Sequence, residues 1–463
     1  MKKPNLILVY PDEMRYDTMS YTGNTVSKTP AIDALAKEGV SFDNAHTSFP
    51  LCCPFRASLM TGKYAHEHGI LCNHYKIPLE QEFLPNMMKE HGYRTGWVGK
   101  WHLNGGNKFQ PVEKEYRLGF DEFIGYSRGH QYLEGLFYKD DDETPYRSHK
   151  YEPEYQTDQL IDFANRAVDE EVPFMGMICY GLPHHPVELA PDHYKYKYKP
   201  EDMKLTPIVP TWCEEAARKY MAMYYGLVSC VDDQIARITA FLKEKGIEDN
   251  TILIFVSDHG DMCYENGYTD KYIAHNGSTH VPFIIKYPDL VKEQVKVSQV
   301  IDPTIGLTPT ILDLCGIPVP TFMQGKSLKD AMLNGRDDSL NDYSYYQLPK
   351  ISESLCDQFD YIAEKKNFPE RGLRTDRFLY VEKCGVPYEM YDLTKDTYEQ
   401  FNCVENYNYL YEMLELRKKL REVMEEVGDD WEVELKEFPE HYYKHCEGDT
   451  LHDDIYKIAV YID

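Results

Sequence analysis

No apolar run in this chain approaches the roughly 18 residues a helix needs to cross a bilayer, which argues against a membrane-spanning role. Basic residues are scarce beside acidic ones: 50 Lys and Arg face 77 Asp and Glu, for a net charge of −27. Such a surface repels DNA, RNA and anionic membranes at long range. Nucleic acid and membrane are therefore excluded as partners, and an anionic ligand must find its positive charge inside a local pocket. The twelve cysteines form no CxxC pair and no zinc-like spacing, which excludes a zinc ribbon. No internal repeat of fixed period is present. The start, Met1-Lys2-Lys3-Pro4 followed by Asn5 to Tyr10, mimics the basic end of an export signal. Its apolar stretch is short, however, and meets Asp12 at once without a small-residue cleavage site. The expectation is a cytoplasmic protein whose cysteines are reduced thiols in a core.

What is present is a folding chain: 42% hydrophobic and 27% charged residues over 463 positions. Two continuous apolar runs, Leu6 to Tyr10 and Thr251 to Val256, read as parallel strands buried on both faces. Weaker strands are expected at Arg94–Val98, Phe174–Cys179 and His280–Ile285. Helical patterns lie between them, at Pro30 to Glu38 and Cys213 to Lys245. The alternation predicts an α/β fold. Residues 104–155 are mostly polar and read as a surface excursion. The Tyr194-to-Lys199 alternation of aromatic and basic residues reads as a loop or edge strand, with an anion-binding strip as the alternative. Near residue 345 the character changes. Arg374–Val381 and Tyr388–Leu393 predict two antiparallel strands around Gly385, followed by a helix from Tyr409 to Val427. This divides the chain into a larger α/β unit at 1–345, where any catalytic chemistry is expected, and a smaller α+β unit at 346–463 with a small antiparallel sheet and a helix.

Both strong strands end in acidic turns, Asp12-Glu13 and Asp258-His259. In doubly wound sheets ligands sit beyond the carboxyl ends of strands, so the two turns can meet despite their separation in sequence. Asp12, Asp258 and His259 supply two hard carboxylates and one imidazole. An oxygen-rich set favours Ca²⁺ or Mg²⁺, while the imidazole tolerates Mn²⁺; Ca²⁺ is the expectation. Pro54 suits the first turn of a helix running to about Thr61. Cys52 then sits at its N-terminus, where free N–H groups stabilise anions, with Arg56 one turn on. Lys100 and His102 lie on one side of an extended segment, and Lys271 adds a second ammonium.

The run Cys52-Cys53-Pro54-Phe55-Arg56-Ala57-Ser58-Leu59-Met60-Thr61-Gly62 resembles the Cys-x-Pro-x-Arg signature of the formylglycine-dependent sulfatases, in the alkaline-phosphatase superfamily. Other segments resemble that family in the same order. They are Asn5–Asp12, Thr29–Ala36, Gly99-Lys100-Trp101-His102, His184-His185-Pro186, Ser257-Asp258-His259-Gly260 with Lys271, Asp302–Pro320, Gln324–Leu328, and Tyr391-Asp392-Leu393 with Asp396 and Glu399. Phe55, Asn276 and His280 depart from it, standing where relatives often carry a small residue, Glu and Arg.

The resemblance implies an alkaline-phosphatase-like doubly wound mixed sheet with a smaller C-terminal α+β subdomain. It also implies that Cys52 is oxidised to Cα-formylglycine by a maturation enzyme. The hydrated aldehyde would be the nucleophile and would contribute an oxygen to the cation, with Glu13 as a further ligand. Arg56 would orient it, and Lys100 and His102 would contact the sulfate. Asp258 would help activate the nucleophile, His184 or Lys271 would protonate the leaving group, and His102 would serve the second step. His66 and His68 read as structural. The expected activity is exo-acting hydrolysis of sulfate monoesters on small sulfated mono- or oligosaccharides, since a long sulfated polymer meets the −27 field. The alternatives are a phosphonate or phosphate ester hydrolase on the same scaffold, and a non-catalytic anion- or glycan-binding protein with unmodified Cys52.

Overall fold

The computed structural model describes residues 2–348 and 369–430. A ten-stranded mixed sheet forms the body, in the order β10-β2-β9-β8-β1-β7-β3-β4-β5-β6. Its middle is parallel: β8 (Thr251–Val256), β1 (Asn5–Asp12), β7 (Phe174–Pro183), β3 (Arg94–Lys100) and β4 (Glu122–Tyr126) all run the same way. The carboxyl ends of five neighbouring strands therefore open on one edge, where Asp12, Glu13, Lys100, His102, His184, Asp258 and His259 lie on or just after a strand, while Lys271 comes from the longer stretch between β8 and the next strand. On one flank β9 (Phe283–Lys286) runs antiparallel to β8 and β2 (Val40–Phe42), with β10 (Val295–Val297) beyond.

The continuous apolar character of β1 has the expected cause, for all eight of its residues are buried. Leu6, Leu8 and Tyr10 face one layer with Phe55, Leu59, Trp97 and Trp101, while Ile7 and Val9 face the other with Leu160, Phe163, Val228 and Ile235. Helix α1 (Pro30–Glu38) begins at its proline. Helix α2 (Cys52–Thr61) is buried along its whole length and stops at Gly62 in the left-handed region. Helices Glu152–Asp169 and Glu214–Glu244 cover the second face.

Four local expectations need correction. Residues 104–155 are not a surface excursion: β4, β5 (Leu136–Lys139) and β6 (Asp142–Arg147) extend the main sheet, and Tyr126, Tyr132 and Phe137 are fully buried. The polar reading came from β6, whose residues are mostly exposed as the outermost strand. The Tyr194 segment is no edge strand. It holds a short helix, Asp192–Lys195, and donates Tyr194 Oη to Asp233 and pairs Tyr198 Oη with Ser229, at 2.7 and 2.8 Å. The strand expected from His280 starts at Phe283, because His280 is instead stacked between Tyr16 and His46, with ring centroids 4.0 and 4.5 Å away. Finally, Arg374–Val381 is two strands, since Thr375 Oγ1 accepts the Phe378 N–H at 2.9 Å and closes a turn.

The small sheet is antiparallel: β11 (Tyr343–Leu348), β12 (Glu370–Thr375), β13 (Phe378–Lys383) and β14 (Val386–Asp392), with β13 and β14 forming the hairpin around Gly385. Helix Leu410–Val427 packs on it through Leu420, Val423 and Met424. The thiols of Cys53, Cys179, Cys230 and Cys315 are buried and outside any disulfide. Among the described residues, no helix is long and apolar enough to cross a membrane.

Candidate active site

The parallel register sets the site. Strand β1 carries Asp12 and Glu13 to the edge, β8 delivers Asp258 and His259, β7 delivers His184, and β3 delivers Lys100 and, two residues on, His102. Lys100 can arrive only because Gly99 precedes it. Gly99 adopts φ 112°, and a Cβ there would lie 2.1 Å from the Cys179 carbonyl oxygen of β7.

The N-terminus of α2 places Cys52 against these turns. Ligand atoms of Asp12, Cys52, Asp258 and His259 all lie within 4.8 Å of one another, and all four residues are buried. Cys52 Sγ is 3.3 Å from His259 Nε2 and 3.7 Å from Asp12 Oδ1. His259 donates Nδ1–H to the Gly260 carbonyl at 3.0 Å. That turns Nε2 towards the cluster, the orientation a metal-binding imidazole needs. Asp258 accepts the Glu13 N–H on Oδ1 at 3.0 Å, while its buried Oδ2 has no hydrogen-bond partner. An orphaned carboxylate oxygen beside the Asp12 carboxylate, the Cys52 sulfur and an imidazole nitrogen fits a divalent cation.

Two fixed cations lie beside it. Arg56 NH2 is 3.2 Å from Asp12 Oδ2 and 3.6 Å from Asp258 Oδ2, and its NH1 donates to the Lys100 carbonyl at 2.7 Å. Lys100 Nζ pairs directly with Asp12 Oδ2. Burial would raise the Asp12 carboxyl, but the Lys100 ammonium and Arg56 guanidinium overrule it and hold it well below the usual range. Burial and Asp12 likewise oppose ionisation of Cys52, yet Lys100, Lys271 and His259 lower its thiol on balance. The neighbouring Cys53 is pushed up by burial, so the two adjacent thiols differ in kind.

A second group adjoins the first. The Glu13 side chain joins Lys271, His184, His185 and Asp270 rather than the four-residue cluster. Lys271 Nζ sits among Glu13 Oε1, Asp270 Oδ1 and His184 Nε2 at 3.2, 2.9 and 2.8 Å. Burial and the Lys271 charge keep His184 neutral, and its Nδ1–H donates to the His185 carbonyl at 2.7 Å. Its Nε2 is thereby fixed as an acceptor for the ammonium. Glu13 and His102 hold φ values of 71° and 64°, the kind of backbone strain that collects at functional sites.

The structure adds two imidazoles that no motif signalled. His130 stacks on His184 with centroids 4.1 Å apart, and its Nε2 is 3.4 Å from Lys100 Nζ. Tyr132 Oη fixes the other nitrogen at 2.7 Å. His74 Nδ1 lies 3.0 Å from His102 Nε2. His130 comes from a polar stretch and His74 from a mixed one, where only a Gly-His or Asn-His pair marks them. His68 bonds Ser58 Oγ at 3.0 Å and His66 bonds the Val427 carbonyl at 2.9 Å, which makes both structural.

The sulfatase family model matches residues 4–317, and the model described as N-sulphoglucosamine sulphohydrolase, C-terminal, matches residues 264–426. The chain belongs to the sulfatase family. It is a sulfuric ester hydrolase. An ulvan-active sulfatase of Formosa agariphila is 31% identical, over 93% of this chain and 82% of its own length. An N-acetylglucosamine-6-O-sulfatase of Bacteroides thetaiotaomicron is 27% identical over 93% of this chain and 88% of its own. The crystal structure of a putative sulfatase from Bacteroides fragilis superposes with a TM-score of 0.83 at 27% identity, covering 93% of this chain and 97% of that one. The sulfatase's large mixed sheet and small antiparallel sheet agree with the alkaline-phosphatase-like architecture expected from the motifs.

Proposed function

We propose that this sulfatase removes sulfate from small sulfated sugars in an exo manner, using formylglycine at position 52 and a divalent cation, Ca²⁺ by preference. The observation that carries the reading is the burial of the Cys52 thiol against two carboxylates and one imidazole, beside two fixed cations. Asp12, Asp258 and His259 would hold the cation together with residue 52, whereas the Glu13 carboxylate is turned to Lys271 and His184. Bound there, the ion supplies Lewis-acid polarisation of the sulfate and of the nucleophile; a maturation enzyme supplies the aldehyde.

The chain's own residues do the rest. Arg56 and Lys100 hold Asp12 ionised and present positive charge to an anionic ester. Lys271 is the proton source for the departing oxygen, because His184 accepts from it and has no proton free on Nε2. His102 stands ready as an acceptor. The sugar class is supported by the relative that acts on N-acetylglucosamine-6-O-sulfate esters, by its name, and by a surface charge that disfavours polyanions.

The test is sulfate release by mature enzyme from a 6-O-sulfated N-acetylglucosamine and from an intact sulfated polysaccharide, with Cys52→Ala as control. Release from the monosaccharide, abolished in Cys52→Ala, is expected. Faster release from the polymer, or turnover that survives Cys52→Ala, would overturn the reading.

A further inference from the structure

His74 lies outside every recognised motif, yet the fold delivers it to the site. Residues 73–77 run against 102–106. Asn73 Oδ1 accepts the Cys53 N–H at 3.0 Å, Ile77 N–H donates to the Leu103 carbonyl at 2.9 Å, and Lys76 bridges to Asn104. His74 takes φ 71° beside His102 at 64°, so two strained residues face each other. Their rings lie 5.1 Å apart, joined by the 3.0 Å contact between His74 Nδ1 and His102 Nε2.

That contact has room for one hydrogen. If His102 donates, its Nδ1 is a bare lone pair. If His74 donates, His102 carries its proton on Nδ1. His102 Nδ1 is buried and has no hydrogen-bond partner in the protein. An orphaned N–H donor in a buried setting is rarer and costlier than an orphaned acceptor. The fixed charges that act on His102, those of Lys100, Arg56 and Arg128, are all positive and favour a lone pair over a second proton. The rest of the residue cannot shift to compensate. Its N–H donates to the Ser127 carbonyl at 2.6 Å, and its carbonyl accepts the Cys53 thiol at 2.8 Å.

We propose that His74 is a positioning residue that holds His102 as its Nε2–H tautomer, leaving His102 Nδ1 as the buried proton acceptor of the site. The use of that acceptor in ester hydrolysis rests on the function proposed above; the tautomer itself does not. A carboxylate in place of His74 would charge the dyad and draw the proton towards itself, whereas a neutral imidazole orients His102 without adding an anion to a site that must receive one.

Two variants and one spectrum decide it. His74→Phe keeps a ring and removes the acceptor, while His74→Asn keeps an acceptor near the place of Nδ1. With 4-nitrophenyl sulfate, His74→Phe is expected to lower kcat about 10- to 100-fold with KM changed less than about threefold, and His74→Asn to recover most of the loss. In ¹⁵N-histidine-labelled wild-type protein, His102 is expected to show a protonated Nε2 and an unprotonated Nδ1. Equal losses in the two variants, a loss confined to KM, or a protonated Nδ1 on His102 would each overturn the proposal. A wild-type protein inert towards sulfate esters would instead count against the function, and the ¹⁵N spectrum would still decide the tautomer.

Discussion

Replacing His275 with Gln should destabilise the protein in a way that fades as the solution becomes alkaline. His275 precedes the short helix Asn276–Thr279 and ties the Lys271 loop to the small sheet. Its Nε2 lies 3.2 Å from Glu389 Oε2 and its Nδ1 lies 3.2 Å from Glu399 Oε2, with both imidazole and Glu399 nearly sealed from solvent. Burial lowers an imidazole's affinity for its proton, but the two carboxylates more than offset this and push the group up to about 10. A group raised in the folded state contributes stability in full below its free value, near 6.5, and loses it as pH climbs towards 10. Worked through, the charge contributes about 4 kcal/mol at pH 7 and about 1 kcal/mol at pH 9. The former matches the ~3–5 kcal/mol typical of removing one partner from a buried ion pair. Urea unfolding of wild type and His275→Gln at pH 6, 7, 8 and 9 measures the difference directly. It should shrink steadily across that series. A difference that stays constant or grows with pH would refute the reasoning, since it would show that His275 is neutral in the fold.

Other consequences can be measured with equal directness. Gly99→Ala should cost at least about 2 kcal/mol in thermal or urea unfolding and lower kcat, because the new Cβ meets the Cys179 carbonyl at 2.1 Å and displaces Lys100. Glu152 is fully buried beside Tyr126 and Gln156, and burial raises its carboxyl to about 7. Stability held through its protonated form below pH 4.5 is lost as pH rises through 7, so Glu152→Gln should gain up to about 3 kcal/mol on wild type at pH 8 and nothing at pH 4. Chelation should lower the unfolding temperature and Ca²⁺ should restore it, by about 3 kcal/mol at a hundredfold excess over Kd; an unchanged transition would argue that no cation belongs between Asp12 and Asp258.

Much of this site was legible in the sequence because its signals are local. An apolar run ending in Asp12-Glu13 and another ending in Asp258-His259 are each strand-plus-turn patterns, and the parallel order of β8, β1 and β7 converts them into neighbours. Cys52 and Arg56 were legible because Pro54 fixes where helix α2 begins. The later additions were illegible for the opposite reason. His74 and His130 reach the site through loops whose positions depend on tertiary pairing, between residues 73–77 and 102–106 and through the Tyr132 hydroxyl. Residues 104–155 were misread because the exposed β6 masked the buried Tyr126 and Phe137 beside it. The departures at Asn276 and His280 also make sense only in three dimensions. Glu399 accepts the Asn276 N–H at 3.0 Å, and Arg374 bonds both Glu399 and Asn276 Oδ1, at 3.0 and 2.7 Å. A carboxylate from the small sheet's side thus meets the main body at position 276, while His280 fills its place by stacking.

The central claim is that residue 52 of the working enzyme is an aldehyde and not a thiol. Mass analysis of the peptide containing residue 52, from enzyme purified with full sulfate-ester turnover, tests it without recourse to kinetics. The account predicts a peptide lighter by about 18 Da than its cysteine form, the change for converting a thiol-bearing carbon to an aldehyde. A fully active preparation whose peptide carries only the unmodified cysteine would contradict it.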